Sequence, residues 1–177
     1  MPLSRPLAPM AHPLLEHARR VIAAHLAGRD WRQQWPERLT WPSQGCFVSL
    51  KVGERLRGCI GTVLPVRATL EEEVAENALA AATRDPRFAP LRSSELPSVR
   101  FSIDLLTPPA PVASPAELDA RRFGVLLRSG SRLGVLLPDI PGVTSPQQQI
   151  EICLEKAGLP ESARYTLECF EVQRFSE

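Results

Sequence analysis

Proline limits what this chain can fold into more than any other residue. Eighteen of the 177 residues are proline, about twice the usual share of roughly 5%. A proline lacks a backbone N–H, holds φ near −65° and pushes its predecessor out of helical geometry. Most of these prolines fall between periodic segments rather than inside them, so they cut the chain into short elements. No stretch approaches the ~18 consecutive apolar residues that a membrane-spanning helix needs.

Between the prolines, the period of the apolar residues names each element. Leu15, Ala18, Ile22 and Leu26 are spaced three, four and four, which predicts a helix from Leu14 that stops at Gly28. Cys46–Val52 and Arg55–Val63 are β-type runs joined by a Gly53 turn, a hairpin. Thr69 and Glu72 match a capping box opening a helix through about Arg84, with Leu70, Val74, Ala78 and Ala82 as its buried stripe. Glu71, Glu72 and Glu73 suit the positive end of that helix dipole, and its alanines permit close approach to a sheet. Val99–Leu105 alternates as a half-buried strand. Pro108, Pro109, Pro111 and Pro115 then make a surface crossing. Phe123–Arg128 and Arg132–Leu137 predict a second hairpin. Ser145, Pro146 and Gln148 mark a helix start and Gly158 its end. Tyr165–Phe175 reads as one last strand.

Two segments stand outside these periods. Residues 1–13 carry Pro2, Pro6, Pro9 and Pro13 and read as a flexible arm. Residues 29–44 hold Trp31, Trp35 and Trp41 and read as an irregular piece stapled to the core; stacking of nucleic-acid bases on these rings is the sharper alternative. The order helix, hairpin, helix, strand, hairpin, helix, strand is no βαβ alternation. It predicts an α+β fold with a mainly antiparallel sheet and flanking helices, one domain over residues 14–177.

Charge narrows the function classes. The formal net charge is +1, which gives no support to an extended nucleic-acid or membrane footprint. Nineteen of the 21 basic residues are arginine, and arginine offers a rigid fork of donors suited to carboxylates and phosphates. The four cysteines at 46, 59, 153 and 169 form no C-x-x-C pair, and no Cys/His cluster has zinc spacing. The N-terminus lacks a secretory pattern, so the expectation is a cytoplasmic protein with reduced thiols. His17 and His25 lie eight apart on one helix, too far to ligate one ion together, so no metal is expected.

The most unusual local sequence is Leu56-Arg57-Gly58-Cys59-Ile60-Gly61-Thr62. Two glycines inside a strand are costly unless a backbone, a bulge or a ligand needs their space. Between Gly58 and Gly61 sits the Cys59 thiol, and Arg57 lies two residues before it. On the functional reading, the glycines admit a ligand to Cys59 or to the backbone N–H groups, and Arg57 holds an anionic or carbonyl-bearing group. On the other reading, Cys59 is a small buried hydrophobe packed under a helix. A nucleophilic cysteine usually has a histidine base, whereas His12, His17 and His25 all lie near the N-terminus. The Gly58-x-x-Gly61 spacing is similar to the backbone clamp of KH domains, but that clamp joins helices and here strand signals surround it. A second candidate is Arg84-Asp85-Pro86-Arg87-Phe88, where a rigid turn sets Asp85 against Arg84, Arg87 or Arg57.

These segments, in this order, closely resemble the AMMECR domain family, called AmmeMemoRadiSam system protein A in bacteria and archaea. The string at residues 56–62 matches the family hallmark without substitution. Gly45–Leu50, Arg84–Pro90, Ile103–Leu106, Gly134–Pro138, Cys153–Leu159 and Phe170–Val172 add to it, so the likeness covers about residues 14–176. Within the matching Gly45–Leu50 the family more often has alanine than Cys46; the two departures are the absence of a tryptophan in Pro138–Ser145 and residues 1–13, which lie outside the pattern. The resemblance implies an intracellular α+β fold with two unequal subdomains and a cleft near the hallmark string. It names no reaction and no cofactor. It implies association with a Memo-like protein, related to ring-opening dioxygenases, and with a radical SAM protein. The expected site is Arg57, Gly58, Cys59, Gly61, Thr62, Asp85 and Arg87, with Cys59 as contact residue or nucleophile. The alternative is an adaptor that docks a partner protein.

Overall fold

The computed structural model describes residues 12–34 and 41–177. Most of the proline-rich arm and Trp35 lie outside the described residues. His12 and Pro13 are within them and cap and open the first helix. The elements are α1 (Pro13–Leu26), β1 (Cys46–Val52), β2 (Arg55–Thr62), α2 (Leu70–Thr83), β3 (Val99–Leu106), β4 (Ala110–Pro111), β5 (Gly124–Ser129), β6 (Arg132–Leu136), α3 (Pro146–Ala157), β7 (Thr166–Phe170) and β8 (Val172–Ser176). Two four-stranded sheets form, in the orders β2-β1-β3-β8 and β4-β7-β5-β6. The pairs β1–β2, β4–β7, β5–β6 and β5–β7 are antiparallel. The fold is therefore α+β. No helix among the described residues is long and apolar enough to cross a membrane. The chain divides into two compact units, one running to Ile103 and taking back Arg174–Glu177, the other Asp104–Gln173.

In the first unit, α2 packs against α1 and against β1 and β2. The stripe Leu70, Val74, Ala78 and Ala82 is buried as its four-residue spacing predicts. Ala75, Ala80 and Ala81 are buried too, because the helix is covered on more than one side. Thr69 caps the helix by accepting the Glu72 N–H at 3.2 Å, a contribution of about 1 kcal/mol. On β1, Cys46, Val48 and Leu50 are fully buried while Phe47 and Ser49 are half-buried, the period-two pattern of a strand with one face on the core. Trp31 packs with Val21, Ala24 and Ala75, the staple expected of it.

In the second unit, Ile150, Cys153 and Leu154 of α3 pack with Val125 and Leu127 of β5 and Leu136 of β6. Ser145 and Gln148 form a full capping box, and Gly158 closes α3 in left-handed geometry at φ 63°. Two features differ from the sequence reading. The proline-rich crossing contains a short strand, in which Ala110 and Pro111 pair with Cys169 and Glu168 of β7. The run Tyr165–Phe175 is also two strands in different sheets, broken at Glu171. There the Glu171 N–H donates to Thr107 Oγ1 at 2.9 Å and its carbonyl accepts the Thr107 N–H at 3.0 Å. A period of two continues through a change of sheet, so the sequence carries no sign of it.

Candidate functional site

The hallmark string forms β2, at the edge of its sheet, and Cys59 stands directly opposite Ser49 of β1. The Ser49 hydroxyl lies 3.2 Å from the Cys59 sulfur. The Cys59 N–H and carbonyl are bonded outward, away from β1. The N–H donates to Asp85 Oδ2 at 2.9 Å, and the carbonyl accepts Arg87 Nη2 at 3.3 Å. Asp85 and Arg87 thus occupy the place of a neighbouring strand for this one peptide.

Asp85 is there because α2 stops just before it: the residue preceding a proline is disfavoured in helix, and Pro86 follows. Its carboxylate then folds over its own turn, accepting the Arg87 N–H at 3.1 Å, Arg87 Nε at 2.9 Å and Arg87 Nη2 at 2.7 Å. Asp85 is 3% exposed. The Arg87 guanidinium holds its carboxyl far below the usual carboxylate range; burial opposes this, and the Cys59 and Arg87 N–H groups add to it. The bond to Asp85 in turn raises the Arg87 pKa, with the charges of Asp85 and Cys59 adding to it. The Arg87 side chain is 55% exposed, and its Nη1 has no partner among the described residues.

Arg57 is engaged by groups of the chain itself. Its Nε and Nη2 grip both oxygens of Glu95 at 2.8 and 3.1 Å. Its Nη1 donates to the Ala89 carbonyl at 3.0 Å, and Nη2 also reaches the Pro90 carbonyl at 3.5 Å. The bidentate pair is the geometry for which guanidinium is built. Glu95 is held below its ordinary pKa first by Arg57 and then by the Arg92 N–H. Arg57 is therefore a clamp on the loop 89–95.

Both glycines of the string meet the chain itself. A Cβ on Gly58 would sit 2.1 Å from the Ala81 carbonyl oxygen of α2, so the helix backbone uses that space. A Cβ on Gly61 would sit 2.2 Å from the Phe47 ring. Of the three needs that can justify a glycine in a strand, close approach of other protein atoms is the one met on these faces.

Thr62 faces α2 and enters a buried network that sequence reasoning missed. Its hydroxyl donates to Glu73 and accepts Asn77 Nδ2 at 3.2 Å. Asn77 also donates to the Cys46 carbonyl at 3.2 Å and to the Cys46 sulfur at 3.3 Å. The other Glu73 oxygen accepts the N–H groups of Val66 and Arg67 at 2.8 and 2.7 Å. Glu73 is 1% exposed, a buried carboxylate satisfied by hydrogen bonds, as such a group must be. One signal was available: Asn77 interrupts an alanine-rich helix face, where a polar residue needs a reason. Glu73 carried no comparable mark beside Glu71 and Glu72, and Ser49 and Glu95 carried none.

The remaining candidates are placed elsewhere. His17 donates from Nε2 to the Glu71 carbonyl at 3.0 Å, and His12 stacks on Phe175 at 3.8 Å. Burial pushes the Cys46 thiol up to about 12 and the Cys153 thiol up to about 11. None of the four cysteines is in a disulfide. Among the described residues no group of three or more His, Cys, Asp or Glu is placed to hold a metal ion.

Comparison with known proteins agrees with this fold. A protein of Thermotoga maritima is 44% identical over 85% of this chain and 88% of its own length. A longer protein of Clostridium acetobutylicum is 38% identical over 93% of this chain, which spans 36% of that relative. The crystal structure of an uncharacterized protein from Pyrococcus horikoshii superposes with a TM-score of 0.82 at 27% identity, covering 93% of this chain and 89% of that one. The AMMECR1 family model matches residues 15–176. With nearly the whole chain matched, across both of its compact units, this protein belongs to the AMMECR1 family.

Proposed function

We propose that this protein is a ligand-binding or catalytic component of a small enzymatic system, with the Cys59 thiol as its contact group or nucleophile. The observation that carries this reading is the hold on Cys59. Its peptide is fixed on the outer side by Asp85 and Arg87, while its thiol stays half-buried beside the Ser49 hydroxyl. Cys46 and Cys153, by contrast, are fully buried. The ligand is a small anion or carbonyl compound met by Arg87 Nη1 and Cys59. Gly58, Gly61, Thr62 and Arg57 form the frame that keeps the strand and the loop 89–95 in place. The hallmark string supports a place beside a Memo-like, dioxygenase-related protein and a radical SAM protein, in the cytoplasm. Brief iodoacetamide treatment followed by mass spectrometry tests the thiol: Cys59 is expected to label faster than Cys169. Labelling no faster than Cys169 removes the nucleophile.

A second reading, a non-catalytic adaptor, has its own observation. Leu64 and Val66 are 54% and 69% exposed, on a loop whose backbone Glu73 holds rigid. Rigid, exposed apolar side chains suit a docking surface. The test is recovery of the Memo-like partner by Leu64→Asp/Val66→Asp beside Arg57→Ala and wild type. Unchanged recovery with the double variant rules out the loop as the docking surface.

A further inference from the structure

β2 is an edge strand whose outer side is closed at Cys59 by Asp85 and Arg87. In antiparallel pairing, every second residue of an edge strand turns its N–H and carbonyl away from its neighbour. Cys59 is such a residue, and its register with β1 is regular from Cys46–Thr62 to Leu50–Gly58. Gly61, two residues on and opposite Phe47, therefore turns its N–H and carbonyl outward as well. Neither group has a partner on this outer side among the described residues. An open edge peptide of this kind is a template for pairing with another chain.

The outward groups follow one another along this edge. The Cys59 N–H is held by Asp85, the Cys59 carbonyl by Arg87 Nη2, and the next group is the Gly61 N–H. Arg87 also lays Nε and Nη2 on the Asp85 carboxylate. A guanidinium is a rigid plane, so with its Nε–Nη2 side on Asp85 its Nη1 faces away from Asp85, in the direction of Gly61. Nη1 has no partner among the described residues. Bonds to Asp85 and to the Cys59 carbonyl hold this cation in place before any ligand arrives, which lowers the cost of binding one.

We propose that this edge binds the carboxy-terminal residue of an extended peptide, antiparallel to β2. The N–H of that residue donates to the Gly61 carbonyl, and one carboxylate oxygen accepts the Gly61 N–H, the exchange of two hydrogen bonds that defines a ladder pair. The other oxygen accepts from Arg87 Nη1, a charge-assisted bond. Two observations select a terminus over a passing strand. Asp85 and Arg87 already fill the next place along the edge, so the added chain ends there. The donor that meets this end is a cation, which a carboxylate complements and a continuing peptide does not. The rest of the peptide leads back past Thr62, beyond which Leu64 and Val66 are exposed. The inference rests on the reading above in taking Arg87 as the group that meets the ligand's anion. It adds the ligand's class, an acylated α-amino acid at a chain end, and requires no reaction at Cys59.

Acetyl-Ala-Ala-Ala is the probe, titrated into the full-length wild-type chain and followed at the Gly61 amide by two-dimensional NMR. Ile60-Gly61 is the one Ile–Gly peptide in the sequence, so isotope labels on isoleucine carbonyls and glycine nitrogens assign that signal. The expected result is a saturable shift of the Gly61 signal. Binding is expected to weaken about tenfold or more when the peptide ends in a carboxamide. It is expected to weaken several-fold when an ester replaces the last amide and removes its N–H. The proposal is overturned if the Gly61 signal shows no saturable shift, if the carboxamide or the ester binds as tightly as the acid, or if acetate alone binds as tightly as the tripeptide. The alkylation test of Cys59 is a separate readout. Rapid labelling of Cys59 with an unmoved Gly61 signal overturns the peptide site and keeps the nucleophile; slow labelling with a saturable, charge-dependent shift does the reverse.

Discussion

Asp85 accepts the backbone N–H of Cys59 at 2.9 Å, so a carboxylate from the turn after α2 closes the edge of β2 at the middle of the hallmark string. Arg87 completes the closure by donating to the Cys59 carbonyl. An unpaired peptide at a sheet edge is a template for pairing with another chain, and here side chains fill that place. Asp85→Ala leaves the Cys59 N–H without its acceptor and Arg87 without its carboxylate. The expected cost is about 2–3 kcal/mol, against about 1 kcal/mol or less for Arg87→Ala, whose side chain is more than half exposed. Urea unfolding measures both. An Asp85→Ala protein as stable as wild type would show that the edge needs no closure.

The same carboxylate gives an acid-side signature. Arg87, with the Cys59 N–H, holds Asp85 below its ordinary value of 3.8. The folded chain therefore takes up this proton less readily than the unfolded chain. The resulting stabilisation is complete well above the unfolded value and is lost as pH falls below it toward the folded one. Asp85→Asn is expected to start less stable and to lose less between about pH 5 and 2 than wild type does. Parallel acid-unfolding curves would contradict this assignment.

His17 adds a slope at higher pH. It is fully buried, and burial holds its imidazole below 6.5; the Glu71 carbonyl opposes this and Arg20 adds to it. The folded state favours the neutral ring, so stability is greatest above about pH 6.5 and falls as pH drops through the unfolded value. His12 is shifted the same way by burial, so part of the slope belongs to it. His17→Gln keeps a donor for the Glu71 carbonyl and is expected to shrink the stability difference between pH 7.5 and 5.5, read by thermal melts at each pH. A difference as large as in wild type would assign the whole slope to His12 or other groups.

The two glycines of the string are expected to fail differently. Gly58→Ala drives a Cβ into the Ala81 carbonyl of α2, a backbone atom that moves only with its helix, and costs about 3 kcal/mol. Gly61→Ala meets the Phe47 ring at 2.2 Å and also the Cys46 carbonyl oxygen at 2.6 Å, so only part of its clash is with a side chain. A second change, Phe47→Ala, is expected to recover part of the Gly61→Ala loss and none of the Gly58→Ala loss, a coupling that a double-mutant cycle isolates. Equal, independent losses would show that the Phe47 ring is not what fills the space at Gly61.

Glu73 ties the loop after β2 to the helix. Glu73→Gln turns an acceptor of two backbone N–H groups and a hydroxyl into a group with its own donors, at an expected cost of about 1–3 kcal/mol. The loop backbone at Arg67 should then open more often, and brief trypsin treatment should cut there several-fold faster. Wild-type cleavage kinetics in this variant would mean that another contact holds the loop.

Much of the architecture was legible because it depends on near neighbours. Helix periods, the Ser145 box, the Thr69 cap and the Gly53 turn each involve residues within about four positions, where side-chain spacing and φ preferences act directly. The sequence marks Arg57 as a candidate ligand holder because its fork fits a carboxylate or phosphate. It does hold a carboxylate, but that one belongs to Glu95, 38 residues away. The spacing of α2 predicts one buried stripe, yet Glu73 and Asn77 are buried beside it because β1, β2 and the loop after β2 close over that polar flank.

The amino-acid sequence by itself determined the three helices, the caps at Thr69 and Ser145, the two hairpins and the α+β class. It also determined that arginine, a donor with no acceptor atoms, would be the main source of positive charge. Only the tertiary structure decided which acceptors those arginines meet, that Gly58 and Gly61 leave room for Ala81 and Phe47, and that the final β-run changes sheets at Glu171. The division has a physical cause. Local conformation is set by forces between residues close along the chain, whereas the partner of a side chain is whichever group packing brings within hydrogen-bond reach, and chain separation puts no limit on that.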